Sequence, residues 1–485
     1  MIQTVDNYYL LNLEKKTKKE IEQASGYYAY YDYLKKYEEL SRITLKDYKD
    51  AKFPNNIFFS FFKDEEKIKS KNEDDLIISI KKNIDVDKKE NYLAQTGNYV
   101  GKFVWNGLEI DIKSRFSNTF LERMLNFAND IFLDDASITG KDSKNELDIS
   151  KYIIYYMFVQ NLEKAFLLGL PKSYRSINHH EMKLKGKIDI NKFIKYDIPF
   201  QGKISSVSRE QKEIQEIIDV LYKAVKIIDK KNKAFLKNIS HIKTHLKQYK
   251  SNNYVSNETI NKAIKSKALQ NPIFAPYKKV IEYAKFIING NNIEEKNDGK
   301  QETFGFIINV AELFEIYVTK LLQKEFSDWN VDSPSIWLAT HFNDNSYMYQ
   351  RRIIPDIVMI ENNTNNVMVF DTKYKRMKFR NDKFGSGSDV DRTDFFQINT
   401  YMSYYQNHPD QYNVKIGGLL YPIEENDKEL KNSHSETWFG NPNTKFIVDG
   451  IDLSGNLEAE DNENKFAEIS KREQTFIKSI EKLLT

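Results

Sequence analysis

The chain contains no cysteine. That excludes disulfides, thiolate zinc sites and cysteine nucleophiles, and it fits a reducing cytoplasm. Charge of one sign is also lacking, since 73 Lys and Arg against 70 Asp and Glu leave only +3 over 485 residues. Nucleic-acid binding would therefore have to come from a local basic patch. No apolar run approaches the roughly 20 residues of a membrane helix. The opening "MIQTVDNYYLLNLEKKTKKE" has neither the basic start nor the apolar stretch of a secretory signal. These features predict a soluble, cytoplasmic chain with no membrane partner. A P-loop is missing too: the Gly-Lys pairs at 101, 140, 186, 202 and 299 are followed by Phe, Asp, Ile, Ile and Gln. No nucleotide is expected to bind this chain. What is present is a 40% hydrophobic, 13% aromatic composition, enough for two or three packed domains.

Three regions follow from the pattern. Residues 1–140 read as an N-terminal α+β region, with strands at "NNIFFSFF" and "YVGKFVWNGLEIDIKSR" and a helix at "TFLERMLNFANDIF". The Tyr-rich "YYAYYDYLKKYEEL" (27–40) reads as an amphipathic helix, with a base-stacking surface as the sharper alternative. Residues 141–295 read as mainly helical, including a helix that starts at Ser208 and a short hairpin around Gly186. The polar, Gly/Asn-rich "NGNNIEEKNDGKQ" (289–301) reads as a linker. Residues 302–485 alternate helix, three strands, helix and strand, then two strands and a closing helix. The expected class is α+β multidomain, ending in an α/β core with a mixed sheet flanked by helices.

Chemistry concentrates at "NNVMVFDTKYKR" (365–376). Asp-x-Lys is common here, at Asp47/Lys49, Asp87/Lys89 and Asp142/Lys144 among others, but only Asp371/Lys373 follows four apolar residues. Period-2 geometry puts Asp371 and Lys373 on one face of a strand. An antiparallel neighbour, turning at "ENNTNN" (361–366), would bring Asp356 beside them. Two carboxylates and an ammonium at one strand end suit Mg²⁺, with Mn²⁺ as the alternative, and phosphate-ester chemistry. The bland alternative is an ion pair closing a strand. His241/His245 and His179/His180 lack a third ligand and read as surface histidines.

Pro355-Asp356 with Asp371-Thr372-Lys373 resembles the PD-(D/E)xK nuclease signature. Gln397 and Tyr401, four apart on the next predicted helix, resemble the Q-x-x-x-Y pair of its RecB-like branch. The ordered set "AELFEIYV", "IIPDIVMI", "VFDTKYKR", "DFFQINTYMSYY" and "GGLLYP", with "FLERMLNFAND" and "LKGKIDI" upstream, is similar to McrC-type proteins over roughly residues 95–425. These are the nuclease subunits of modification-dependent McrBC restriction systems. The resemblance implies a Mg²⁺-dependent endonuclease acting on double-stranded DNA beside a hexameric AAA+ GTPase of McrB type. It implies metal binding by Asp356, Asp371, the Thr372 carbonyl and Glu315, water activation by Lys373, and support from Gln397 and Tyr401. Lys375, Arg376, Lys378, Arg380 and Lys383 read as a basic arm toward the DNA backbone. Two other readings stay open: a non-catalytic subunit that activates an NTPase, and an autonomous RecB-like repair exonuclease.

Overall fold

A computed structural model describes residues 2–7, 9–12, 42–50, 56–59, 75–84, 90–105, 108–128, 149–231, 233–295, 305–342, 346–379, 390–426, 433–435, 437–455, 457 and 466–484. The Tyr-rich stretch 27–40 lies outside them. The chain divides into two compact units, one made of residues 1–136 and 302–485, the other of residues 137–301. Among the described residues no helix is long and apolar enough to cross a membrane.

In the first unit the two ends of the chain share a sheet. The strand Gly305–Asn309 lies between Tyr99–Trp105, to which it is antiparallel, and Asn56–Phe59, to which it is parallel. Leu108–Lys113 and then Ile2–Val5 complete this five-stranded sheet. The segments read separately as 1–140 and 302–485 therefore meet in one unit. Alternating apolar residues explain the pairing: Tyr99, Phe103, Ile110, Ile112 and Ile307 are all buried in one cluster. A four-stranded antiparallel sheet, in the order Tyr9–Asn12, Glu90–Thr96, Leu76–Ile84 and Ile43–Thr44, lies in the same unit.

A seven-stranded mixed sheet follows. Its order is Trp329–Asp332, Ile357–Glu361, Asn366–Thr372, Asn413–Asn426, Lys445–Asp452 and Ser433–Ser435, with Met377–Phe379 also on Asn413–Asn426. Asn366–Thr372 is an interior strand, and its Val367, Met368, Val369 and Phe370 are all fully buried. A continuous apolar run suits a strand covered on both faces. The helices Val310–Glu325 and Arg392–Gln406 both contact it. The second of these is the crossover into Asn413–Asn426, which runs parallel to Asn366–Thr372.

Two expectations for this half need correction. Six strands rather than three lie between the helices Val310–Glu325 and Arg392–Gln406 among the described residues: Ser346–Ile353 pairs with Ile336–Phe342 in a separate hairpin, and Ile357–Glu361 belongs to the large sheet. Pro355, which has no N–H for a ladder, marks the break. The region read as opening on a helix opens, among the described residues, on the Gly305–Asn309 strand, and the Val310–Glu325 helix follows it. Asn309 caps that helix, its side chain accepting from the backbone N–H groups of Ala311 and Glu312 at 2.9 and 3.3 Å.

The second unit holds the helices Ile149–Phe166, Gln215–Lys231, Ser240–Tyr249, Asn257–Ile264 and Tyr277–Glu295. It also carries a sheet, Lys187–Ile188, Ile204–Glu213 and Lys172–Glu181, in that order. Ser208 to Glu213 are therefore strand, and the helix read as starting at Ser208 begins at Gln215. Those six residues pair with Lys172 to Ile177, a long-range ladder that overrides their helical propensity. Residues 289–295, read as linker, are the last turns of Tyr277–Glu295.

Candidate functional site

The site is built on the C-terminal end of Asn366–Thr372. Ile357 stands opposite Phe370 in the antiparallel pair, so Asp356 falls at the rung of Asp371. The Asp356 carboxylate accepts from the Thr372 backbone N–H at 2.7 Å and from its hydroxyl at 2.9 Å. Lys373 stays tied to the sheet through its N–H, which donates to the Leu420 carbonyl at 2.8 Å. Its ammonium lies 2.6 Å from Oδ2 of Asp371 and donates to Oε1 of Gln397 at 3.0 Å. Gln397 in turn donates through Nε2 to the Tyr401 hydroxyl at 2.7 Å. Gln397 and Tyr401 share a helix face because they are four apart. Asp356, Asp371, Thr372, Lys373, Gln397 and Tyr401 are thus gathered at one strand end.

Burial sets the electrostatics. Asp371 is 1% exposed; its Oδ2 meets the Lys373 ammonium, while its Oδ1 has no hydrogen-bond donor among the described residues. Burial first, and then the Asp356 carboxylate, push its pKa up to about 8 against the pull of Lys373. Burial opposes the charge on Lys373, but Asp371, Asp356 and Asp394 outweigh it and raise its pKa. Tyr401 is raised by burial, so its hydroxyl stays protonated.

Two residues that motif reading missed also belong here. Asp394 is buried one turn before Gln397 on the same helix. Its Oδ1 lies 3.7 Å from the Lys373 ammonium and its Oδ2 lies 2.6 Å from that of Lys375. The i, i+3 spacing to Gln397 was the signal that could have found it. Tyr421 is one residue past the rung that pairs Thr372 with Leu420. Its buried hydroxyl has no hydrogen-bond partner among the described residues, and burial first, then Asp394 and Asp371, raise its pKa. No local pattern marks it, because the parallel register alone places it.

Other expected residues are not assembled with the group. Glu315 is half-buried on Val310–Glu325. Among the described residues no three His, Asp or Glu side chains are grouped to hold a metal. Lys375 pairs with Asp394, and Arg376 with Glu424 at 3.0 Å and the Asn7 carbonyl at 3.0 Å. Arg380, Lys383 and the Lys378 side chain lie outside the described residues. His241 and His245 stack on Phe166 in the other unit.

A divalent cation fits this donor set. Asp356 and Asp371 bring carboxylate oxygens to the Lys373 side of the group, and Asp394 lies between the Lys373 and Lys375 ammonium groups. Oδ1 of Asp371 is buried without a donor among the described residues, and a hard cation held by one or two carboxylates with waters would satisfy it.

The fold and site define an α/β protein whose central strand ends in a carboxylate-and-lysine cluster braced by the next helix. The profile of the family described as "McrBC 5-methylcytosine restriction system component" matches residues 94–422. The chain belongs to that family, and the McrC-type resemblance read from its motifs stands. Among curated proteins none matches. Two similar solved structures come from Thermococcus gammatolerans. One is a half-complex of McrB AAA+ hexamers with bound McrC, 14% identical, covering 98% of this chain and 99% of that one, with a TM-score of 0.40. The other is the McrBC complex, 16% identical, covering 67% and 87%, with a TM-score of 0.27.

Proposed function

We propose that this chain is the DNA-cleaving subunit of an McrBC-like restriction system, a Mg²⁺-dependent endonuclease with a PD-(D/E)xK site. The observation that carries this is the convergence of Asp356, Asp371, Lys373, Gln397 and Tyr401 at one strand end. Asp356 and Asp371, with the Thr372 carbonyl, would hold the metal. When bound, it would supply charge neutralisation at phosphorus and an acidified water. Lys373 orients the attacking water and stabilises charge on the scissile phosphate. Gln397 holds the ammonium, and Tyr401 holds Gln397. Lys375 and Arg376 are half-exposed and exchange their carboxylate partners for DNA phosphates.

The partner in this reading is a hexameric AAA+ GTPase that finds modified DNA. The second unit favours such docking. Ile190, Ile194 and Tyr196 are exposed on its short helix, Ile190–Tyr196, and Met182, Ile198 and Phe200 on the connections beside it. Apolar surface of that extent marks an interaction site.

The test is cleavage of methylated and unmethylated duplex DNA, with and without the partner, GTP and Mg²⁺. Cleavage should need Mg²⁺ and the partner and should vanish in Asp371→Ala and Lys373→Ala at unchanged secondary structure. Full Mg²⁺-dependent cleavage by either variant would sink the assignment.

A further inference from the structure

We infer that Asp394 is a positioning residue for Lys373, which shares its buried carboxylate between the site lysine and the first lysine of the basic arm. The inference rests on the nuclease reading for its kinetic consequence, though not for its geometry.

The placement is built rather than incidental. Asp391 caps the helix, its side chain accepting from the Thr393 N–H at 2.7 Å, and Asp394 follows in the first turn, where the helix dipole favours a carboxylate. Its two oxygens are divided: Oδ2 takes the Lys375 ammonium at 2.6 Å, and Oδ1 faces the Lys373 ammonium at 3.7 Å. The strand ends at Thr372, and past it both the Lys373 and the Lys375 ammonium groups reach this one carboxylate. Asp394 is 5% exposed, which shields its charge from water and strengthens both interactions.

Position matters because Lys373 is pulled two ways. Asp371 holds it at 2.6 Å, while Gln397 and Asp394 hold it from the helix side. Asp371 cannot serve a divalent cation and Lys373 equally. Once Asp371 turns to the cation, the helix side is what keeps the ammonium over the site. Gln397 offers a neutral oxygen; Asp394 offers the only full negative charge among the helix groups that the structure places within 4.0 Å of the ammonium. The same carboxylate fixes Lys375, so the arm begins from a set point.

The experiment compares the full chain with Asp394→Asn, which keeps the shape and removes the charge. Asp394→Ser is the second variant, in case an amide directed at two ammonium groups unsettles the fold. With the partner, GTP and Mg²⁺ present, kcat should fall about 10- to 100-fold, the scale of a misplaced reacting group, with KM for DNA nearly unchanged. A crystal structure of the variant should show the Lys373 ammonium off Gln397. Lys375→Met should instead raise KM and leave kcat within about threefold. The inference is overturned if Lys373 keeps its place in both Asp394 variants, or if their kcat stays within about twofold. It is also overturned if Lys375→Met reproduces the Asp394→Asn loss and the double variant adds nothing, since Asp394 would then serve Lys375 alone. Should the parent chain cleave nothing, the nuclease reading fails, and the position of Lys373 in the variant crystal still decides this inference.

Discussion

Asp371 is buried beside a second carboxylate, with its Oδ1 lacking a donor among the described residues, an arrangement that opposes folding and favours a cation. Its folded pKa, about 8, stands above the ordinary carboxylate value of 3.8, so ionisation costs the folded state more than the unfolded one. The penalty is absent at low pH, grows as pH rises through about 4, and levels off above about 8. In EDTA, Asp371→Asn is therefore expected to melt above the parent, with the gap widening from about pH 5 to pH 8. A constant gap across that range in calorimetry would contradict it. Mg²⁺ should reverse the order by stabilising the parent, about 2.7 kcal/mol at a hundredfold excess over Kd, and leaving the Asn variant unmoved. Tyr401→Phe removes the hydroxyl that fixes Gln397 and should lower kcat about tenfold without shifting the melting temperature much, as steady-state kinetics would show. At this scale the sequence was informative: Asp356, Asp371, Lys373, Gln397 and Tyr401 were each legible from motif and period. Asp394 and Tyr421 were not, because one was hidden among ordinary helix carboxylates and the other depends on a parallel register.

Elements hold these residues through close packing. A Cβ on Gly417 would run into the Met402 side chain, so the glycine lets Arg392–Gln406 lie close over Asn413–Asn426. Gly417→Ala should force the buried Met402 side chain to repack against that helix. Overpacking of this kind costs about 1–3 kcal/mol in a denaturant melt. A second tie joins three helices. Arg123, fully buried on Asn118–Ala128, donates to Glu473 of the Ala467–Leu484 helix at 2.9 and 2.7 Å. Tyr317 of Val310–Glu325 donates to the same carboxylate at 2.7 Å. Arg123→Met would strand Glu473 without its cation and should cost about 3–5 kcal/mol of stability. A loss under about 1 kcal/mol would mean that the Tyr317 hydroxyl suffices.

For the whole molecule, the decisive feature is the exposed apolar surface on the Ile190–Tyr196 helix and the connections beside it, in the unit of residues 137–301. If it receives the GTPase, Ile194→Asp and Phe200→Asp should weaken co-sedimentation with the partner and the cleavage that depends on it. Melting should be unaffected, because both side chains are more than half exposed. Unchanged co-sedimentation would place the docking surface elsewhere.

The sequence by itself determined the strand that leads into Asp371 and Lys373, the helical periods on either side of it, and the residues gathered at that strand's end. Those are local properties, written in alternation, turn residues and i, i+4 spacing. Tertiary structure alone decided the rest. Gly305–Asn309 joins the N-terminal sheet, residues 208–213 are strand, and Asp394 stands between two lysines. Each depends on a partner distant in sequence, and pairing energy of that kind leaves no mark on the local pattern. The run "VMVF" shows both: its apolar content was plain at once, but only the two helices packed on its faces explain why it has no polar side.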